Sequence, residues 1–173
     1  MGTSGPLVVL VGPPGAGKTT VGEALAARLG VSHRDTDADI VAAAGREISD
    51  IFVEDGEPAF RELEHAAVVR ALEEHDGVLA LGGGSLTHPG TVERLAGRPV
   101  VFLDVGVQAA VKRVGLDAPR PLLLGNPRQR WRQLMEERRP VYTAVARVVV
   151  LTDDRAPEDI ADEIANELEL EEA

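Results

Sequence analysis

The sequence predicts an α/β fold, in which a parallel sheet of five strands is covered by helices on both faces. Five short apolar runs alternate with stretches of helical periodicity along the 173 residues. Apolar runs of this kind, joined by helical crossovers, are typical of buried parallel strands. A glycine-rich loop stands between the first run and the first helical stretch, an order that is typical of nucleotide-binding proteins of this class.

The strands are predicted from the apolar runs, except for a short second strand that ends in Asp35. In chain order the strands cover residues 7–11, 33–35, 77–81, 99–103 and 148–151. Ligands of parallel α/β sheets bind beyond the carboxyl ends of the strands. Because the glycine-rich loop, Asp35 and a run of three glycines each follow a strand, the sequence predicts one ligand site at that edge.

The helices are predicted from apolar periodicity and from the residues at their ends. Gly45 is expected to end the second helix, and Ser49 or Asp50 to cap the third. Pro157 suits the first position of the last helix. The predicted helices cover residues 21–29, 37–44, about 49–56, 57–74, 89–96, 107–114, 128–146 and 157–170.

The glycine-rich loop fits the phosphate-binding pattern G-x-x-x-x-G-K-[ST] without a mismatch. Residues 12–19 read Gly-Pro-Pro-Gly-Ala-Gly-Lys-Thr. The glycines allow successive backbone N–H groups to point at phosphate oxygens, and the helix that follows adds its N-terminal partial charge. Lys18 is expected to reach the β- and γ-phosphates, and the Thr19 hydroxyl to ligate Mg²⁺. The loop therefore predicts a nucleoside triphosphate, but it leaves the phosphate acceptor open.

A second pattern, Asp35-Thr36-Asp37, follows the predicted second strand. Phosphoryl transfer needs a carboxylate for Mg²⁺ and a group that orients the nucleophilic hydroxyl. Carboxylates two residues apart on a strand point to the same side. The pair is therefore expected to serve metal and acceptor together, although an aspartate here can also simply cap the next helix.

Three further features are candidates for the same edge of the sheet. Glycines at 82–84 permit close approach by a ligand, or form a plain turn. Arg61 and Glu64 are spaced to pair on a helix, either as a surface ion pair or toward the sheet edge. Arg120 lies in a Gly/Pro-rich loop at 115–127, which suits a lid that stabilises the transferring charge, or a solvated surface loop.

Composition argues against several other functions. The length suggests one domain spanning residues 1–173. The absence of cysteine, of a membrane-length apolar run and of a leader segment favours a cytoplasmic protein without disulfides. No basic stripe supports nucleic-acid binding.

The four histidines lack metal-ligand spacing and are taken as structural or surface residues. Residues 153–173 hold −9 of the net charge of −11, so the catalytic body is nearly neutral and the C-terminal helix and tail, about 157–173, present a solvated face.

Seven segments, in this order along nearly the whole chain, resemble the shikimate kinase family. The phosphate loop alone is shared by many kinases, whereas the ordered set is specific to this family. The segments are residues 12–20, residues 35–37, residues 45–48 with Ile51 and Phe52, Gly56 and Glu57 with Phe60, Arg61 and Glu64, residues 81–84, residues 120–123, and Arg138 with Pro140 and Tyr142.

The resemblance implies an activity and a more specific fold. The activity is ATP- and Mg²⁺-dependent phosphorylation of the 3-hydroxyl of shikimate, in the route to chorismate and the aromatic amino acids. The fold is the three-layer P-loop fold of nucleoside monophosphate kinases, with strand order 2-3-1-4-5 and a lid at about 115–127.

The resemblance also implies roles for single residues. Asp37 would hold the acceptor hydroxyl and favour its deprotonation, Lys18 and Arg120 would act on the transferring phosphate, and Thr19 and Asp35 would hold Mg²⁺. The residues implied for ATP are Gly12, Gly15, Ala16, Gly17, Lys18, Thr19, Thr20, Arg113, Arg120, Arg155 and Pro157. Those implied for shikimate are Asp37, Phe52, Phe60, Arg61, Glu64, Gly82, Gly83, Gly84, Pro121, Leu122 and Arg138.

Two other functions stay open at this point. One is a different small-metabolite kinase of the same fold, of the gluconate type, and the other is a nucleotide-binding domain without transfer activity. A neutral sugar would not require both Arg61 and Arg138. A regulatory domain without transfer activity would not require four residues together, namely Lys18, Asp35, Asp37 and Arg120. No sequence signal for oligomerisation is present, so a monomer with ATP and shikimate as its partners is expected.

Overall fold

The computed structural model describes residues 5–115 and 127–170. Its sheet has five strands in the order β2-β3-β1-β4-β5, and every neighbouring pair is parallel. The predicted fold class and strand order are therefore confirmed. The elements in chain order are β1 (Val8–Val11), α1 (Lys18–Leu29), β2 (His33–Asp35), α2 (Thr36–Ala44), α3 (Ile48–Asp55), α4 (Glu57–Glu74), β3 (Val78–Ala80), α5 (Pro89–Arg94), β4 (Val100–Asp104), α6 (Val107–Gly115), α7 (Pro127–Val145), β5 (Val148–Leu151) and α8 (Pro157–Glu167).

The central strand β1 lies between β3 and β4, and all four of its residues are buried. Its register pairs Val9 with Leu79 of β3 and with Val100 of β4. Helices cover the sheet from both sides, as a parallel sheet with two apolar faces requires. The phosphate loop leaves the sheet at the end of β1, and a short 3₁₀ turn, Ser85–Thr87, follows the glycines after β3.

A second, smaller apolar cluster lies beside the main core and joins three helices. It consists of Ile40 of α2, Ile51 of α3, and Phe60 and Ala67 of α4, all buried. This cluster fixes α3 and the first turns of α4 at the carboxyl edge of β2 and β3. The side chains that α4 carries there are consequently held by packing rather than by a loop.

The prediction that Ser49 or Asp50 caps the third helix is wrong. The helix begins at Ile48, and the residue before it, Glu47, has extended backbone. Ser49 and Asp50 therefore lie in the first turn, where Asp50 faces the positive end of the helix rather than capping it. Ends of other elements differ from the prediction by one to three residues, as is common for helix ends.

The acidic helix α8 is attached to the body by one apolar stripe. Ile160 and Ile164 are buried against the main core, and Asp162 forms an ion pair with Arg28 of α1 at 2.7 Å. The expectation of a plain solvated face is therefore too simple, because this helix also covers α1. None of the described helices is long and apolar enough to cross a membrane.

Candidate active site

The phosphate loop leads directly into α1, whose N-cap is Gly17. This glycine has φ +89°, in the left-handed region that residues with a Cβ rarely adopt. Lys18 Nζ donates to the carbonyl oxygens of Gly12 at 2.7 Å and of Pro13 at 3.0 Å. The Lys18 ammonium group therefore lies against the loop, beside the N-terminus of α1. A helix N-terminus favours a bound anion, so both groups would attract a phosphate. Ala16 is buried beneath the loop, and Thr20 is exposed in the first turn of α1.

The carboxylate of Asp35 lies between the phosphate loop and α2. Asp35 Oδ2 accepts from the Thr19 hydroxyl at 3.2 Å, and Asp35 Oδ1 accepts from the Asp37 backbone N–H at 2.8 Å. Asp35 is therefore both the N-cap of α2 and the neighbour of Thr19. A hydroxyl and a carboxylate oxygen are the hard ligands that Mg²⁺ uses when phosphates and waters complete its shell, so these two residues fit that ion.

The predicted geometry of Asp37 is wrong in one respect. The strand ends at Asp35, so Asp37 lies in the first turn of α2 and not beside Asp35 on a strand. Its Oδ1 stands 2.5 Å from the position that a Cβ on residue 82 would take, and Glu64 Oε2 stands 2.9 Å from it. The carboxylate of Asp37 consequently faces the glycine run.

The Gly82 N–H is not available to a ligand, because it donates to the Thr36 hydroxyl at 3.3 Å. Gly82 therefore contributes to the site through its missing side chain. Thr36 itself is fully buried and was not predicted as a functional residue. The structure places the glycine run beside Asp37 and next to the phosphate loop, where Pro14 lies against Gly83.

Arg61 and Glu64 form a buried pair, not a surface one. The two residues are 7% and 2% exposed, and Arg61 Nη1 donates to Glu64 Oε1 at 2.8 Å. On its other side, Arg61 Nε and Nη2 donate to Glu57 Oε2 at 3.1 and 3.0 Å. The rings of Phe52 and Phe60 are 4.7 Å apart, and Arg61 Cζ lies 5.6 and 5.3 Å from their centroids, within cation–π range.

Gly84 is the point where the glycine run meets Arg61. A Cβ at this position would stand 2.4 Å from both Nη1 and Nη2 of Arg61, a distance that no side chain tolerates. Any residue with a Cβ here would force the Arg61 guanidinium to shift from this position. The structure thus brings the glycine run and Arg61 together, as the sequence predicted for residues of one edge of the sheet, and their role in a shared site stays a prediction.

Arg138 approaches the glycine run from the opposite side, on α7. Its Nη1 donates to the Gly83 carbonyl at 3.3 Å, and the same carbonyl accepts from the buried Tyr142 hydroxyl. Burial raises the pKa of Tyr142 to about 12, so its hydroxyl stays a hydrogen-bond donor at neutral pH. A cavity of about 440 Å³ opens at this point, and its wall includes Glu57, Gly83, Gly84, Arg130, Arg138 and Tyr142.

Trp131 and Tyr142 are functional neighbours that the sequence prediction missed. The Trp131 ring N–H donates to the Pro14 carbonyl at 3.3 Å and so joins α7 to the phosphate loop. The spacing of Trp131, Met135, Arg138 and Tyr142 places them on one face of a helix. That spacing indicates a shared face of the helix. It does not indicate what the face contacts, because Pro14 and Gly83 lie more than fifty residues away in sequence.

The remaining predicted site residues lie elsewhere. Arg120, Pro121 and Leu122 lie outside the described residues, as does the rest of the predicted lid between α6 and α7. Arg113 belongs to α6, but its side chain is outside the described part. Arg155 donates to the Leu151 carbonyl at 2.9 Å and pairs with Glu163 at 2.7 Å, just before Pro157 begins α8. The structure thus brings Arg155 to the carboxyl end of β5, apart from the acceptor cavity.

The histidines have the structural surroundings that were predicted. His65 and His88 stack with ring centroids 4.0 Å apart, and His88 Nδ1 caps α5 by accepting from the Gly90 N–H. His75 Nε2 lies 3.0 Å from the Val78 carbonyl oxygen. Within residues 5–115 and 127–170, no group of three or more His, Asp or Glu side chains is arranged to hold a metal ion.

A phosphate loop, a pair of Mg²⁺-type oxygen ligands and a cavity lined by arginine meet at one edge of a parallel sheet. This combination defines a P-loop phosphotransferase that acts on a small molecule. A family model described as shikimate kinase matches residues 14–169. The chain belongs to the shikimate kinase family.

Individual relatives agree with this assignment. A shikimate kinase of Streptomyces avermitilis is 60% identical and covers 97% of this chain and 98% of its own length. A shikimate kinase of Streptomyces coelicolor is 57% identical and covers 98% of this chain and 99% of its own length. A solved structure of Acinetobacter baumannii shikimate kinase in complex with shikimate superposes with a TM-score of 0.90, at 38% identity, over 95% of this chain and 92% of that one.

Proposed function

We propose that this chain transfers the γ-phosphoryl group of ATP to the 3-hydroxyl of shikimate. One observation carries the proposal: two arginines from different helices, Arg61 and Arg138, meet at the glycine run beside the phosphate loop. Two planar guanidinium groups suit a single carboxylate better than they suit a neutral polyol. Family membership supports the same acceptor, and it argues against a gluconate-type kinase and against a domain without transfer activity.

In this proposal Asp37 orients the acceptor hydroxyl and accepts its proton. Its carboxylate faces Gly82, the first residue of the glycine run whose next two residues, Gly83 and Gly84, line the cavity. A carboxylate held by a helix turn and by packing keeps its position while the substrate binds, which is what efficient proton transfer requires. Gly83 and Gly84 are proposed to offer backbone N–H groups to the other hydroxyls, while Phe52 and Phe60 support the ring.

On the nucleotide side, Lys18 is proposed to exchange the carbonyl oxygens of Gly12 and Pro13 for phosphate oxygens. Thr19 and Asp35 would hold Mg²⁺, which supplies neutralisation of phosphate charge when bound. Thr19 sits in the first turn of α1, so its position is fixed by the same helix that begins the phosphate site. Arg120, Pro121 and Leu122 of the predicted lid, and Arg113, Arg155 and Pro157 near the adenine, stay part of the proposal on the resemblance alone.

The test is an assay that couples ADP release to shikimate. We expect ADP formation that requires shikimate and a divalent cation, and that saturates in both substrates. Gluconate at the same concentration serves as the control acceptor and is expected to give no ADP above background. Absence of shikimate-dependent turnover at millimolar concentration would overturn the proposal.

A further inference from the structure

Glu57 occupies one of the two sides of Arg61 through which a substrate carboxylate can bind. A guanidinium binds a carboxylate through two N–H groups, either at its two terminal nitrogens or along its Nε side. The Nε side of Arg61 is held by Glu57 Oε2, at 3.1 Å from Nε and 3.0 Å from Nη2. Both terminal nitrogens lie against Gly84, and one of them donates to Glu64. In this arrangement the Nε side of Arg61 is occupied by Glu57, while the terminal pair faces Gly84 and is engaged on one nitrogen by Glu64.

The two glutamates that hold Arg61 differ in how easily each can leave. Glu64 is 2% exposed and sits within the packed part of α4. The Glu57 side chain is 44% exposed, in the first turn of the same helix. Moving Glu57 into water therefore costs little, whereas moving Glu64 would break a buried pair. Glu57 is the partner that an incoming anion can replace.

Glu57 also faces the proposed substrate. It lines the same cavity as Arg138, Gly83 and Gly84. Within the part of the chain that the structure describes, Arg138 forms no ion pair, although Glu57 and Glu137 line the same cavity. A carboxylate that enters from the cavity would meet Glu57 on the Nε side of Arg61.

We propose that Glu57 takes the place of the substrate carboxylate in the free enzyme. The Glu57 carboxylate binds the Nε side of Arg61 there, and it is displaced when shikimate binds. Glu57 is thus a positioning residue that acts through Arg61. It keeps the guanidinium in place and neutralised in the empty site, and it competes with the carboxylate of substrate and product alike. The inference rests on the proposed function, because it takes shikimate as the ligand.

The competition has a measurable direction. When an occupant of a site must leave before the ligand binds, the apparent affinity falls by the fraction of protein in the competent state. Removing the charge of Glu57 should therefore lower the KM and the Kd for shikimate, by about threefold to tenfold for one charge-assisted contact. The value of kcat should change less than about twofold, since an interaction lost equally from ground and transition states alters KM alone.

The experiment compares Glu57→Gln with wild type and with Glu62→Gln. Glu62 lies on the same helix and is 73% exposed, so its variant has the same charge change away from the cavity. Shikimate binding is measured by calorimetry and turnover by ADP release. The methyl ester of shikimate is a second probe, because it keeps the ring and hydroxyls but lacks the negative charge. We expect tighter shikimate binding in Glu57→Gln only, with unchanged affinity for the ester in all three proteins.

Two outcomes would overturn the inference while leaving the proposed function intact. One is wild-type turnover of shikimate combined with an unchanged or higher KM in Glu57→Gln, which would make Glu57 a permanent support of Arg61. The other needs no variant: a crystal structure of the wild type with shikimate in which Glu57 still bonds Nε and Nη2 of Arg61. We expect the Glu57 carboxylate to have left both atoms. Failure of wild type to turn over shikimate would instead reject the proposed function, and this inference with it.

Discussion

Asp35 and Asp37 are two residues apart, yet they lie in different elements, and this difference separates their chemistry. Asp35 ends β2 and contacts Thr19, while Asp37 lies in the first turn of α2 and faces Gly82. One carboxylate can therefore serve the cation side and the other the acceptor side. The sequence predicted both residues as site candidates, and the structural reason behind that prediction, a shared strand face, does not hold.

Replacing Asp37 by Asn should lower kcat by at least about 10²-fold, because the amide cannot accept the proton of the acceptor hydroxyl. The amide has nearly the same size, so the fold should be retained. Steady-state turnover with saturating ATP and shikimate measures the effect, and thermal unfolding is the control for folding. A variant with near-normal kcat would remove Asp37 from the proton-transfer role.

Replacing Arg138 by Ala should raise the KM for shikimate by about tenfold or more, and the KM for ATP much less, because one of two carboxylate contacts is lost. Arg132→Ala is the matched control, since Arg132 is exposed on the same helix. Equal increases in both KM values for Arg138→Ala would contradict a role in carboxylate recognition.

At the scale of elements, helix α7 connects the two halves of the site. Trp131 near its start bonds the phosphate loop, and Tyr142 near its end bonds the glycine run. Between them, Arg138 reaches Gly83 from the same face. The helix is therefore a rigid support that fixes the distance between nucleotide and acceptor positions.

Trp131→Phe should raise the KM for ATP more than that for shikimate, because the phosphate loop loses a hydrogen bond of about 1 kcal/mol while the apolar packing of the ring is largely kept. Tyr142→Phe is the comparison variant at the other end of the helix. It should raise the KM for shikimate more than the KM for ATP. Urea unfolding measures the loss of stability, and initial rates measure both KM values. A Trp131→Phe protein whose ATP kinetics match the wild type would refute the support role.

The parts of the site that the sequence predicted well are those that are local in the chain. Residues 12–19 form a continuous loop, and the Arg61–Glu64 pair needs only helical spacing. Trp131 contacts Pro14 across 117 residues, and Tyr142 contacts Gly83 across 59. Such contacts depend on how α7 docks on the sheet, which no local pattern specifies. The sequence did not predict that Glu57 binds Arg61 together with Glu64, because this arrangement depends on side-chain conformation.

At the scale of the whole molecule, a partly buried histidine of β2 links the free energy of unfolding to pH. His33 begins this strand, and its Nε2 is buried without a hydrogen-bond partner among the described residues. Burial lowers the pKa of His33 from 6.5, against the opposing charges of Asp35 and Glu23, and His75 lowers it further. The folded protein therefore holds this imidazole neutral more firmly than the unfolded chain does.

The free energy of unfolding should consequently fall as pH drops below about 6.5, since the unfolded chain then binds a proton that the folded protein refuses until its lower pKa is reached. This decrease in the free energy of unfolding is complete once the pH lies below the pKa of His33 in the folded protein. Urea unfolding at pH 7.5 and 5.5 measures it. A His33→Gln variant, which cannot titrate, should show a smaller difference between the two pH values, and an equal difference would show that other groups cause the acid sensitivity.

The single domain, the monomeric state and the cytoplasmic location stay predictions from composition. The central claim concerns the reaction, and the most direct measurement is analysis of its product by phosphorus NMR and mass spectrometry after incubation with ATP, Mg²⁺ and shikimate. The proposed site predicts ADP and one phosphomonoester in equal amounts, with the phosphate on the 3-hydroxyl. ADP without phosphorylated shikimate, or phosphate on another hydroxyl, would contradict the placement of the acceptor between Asp37 and the two arginines.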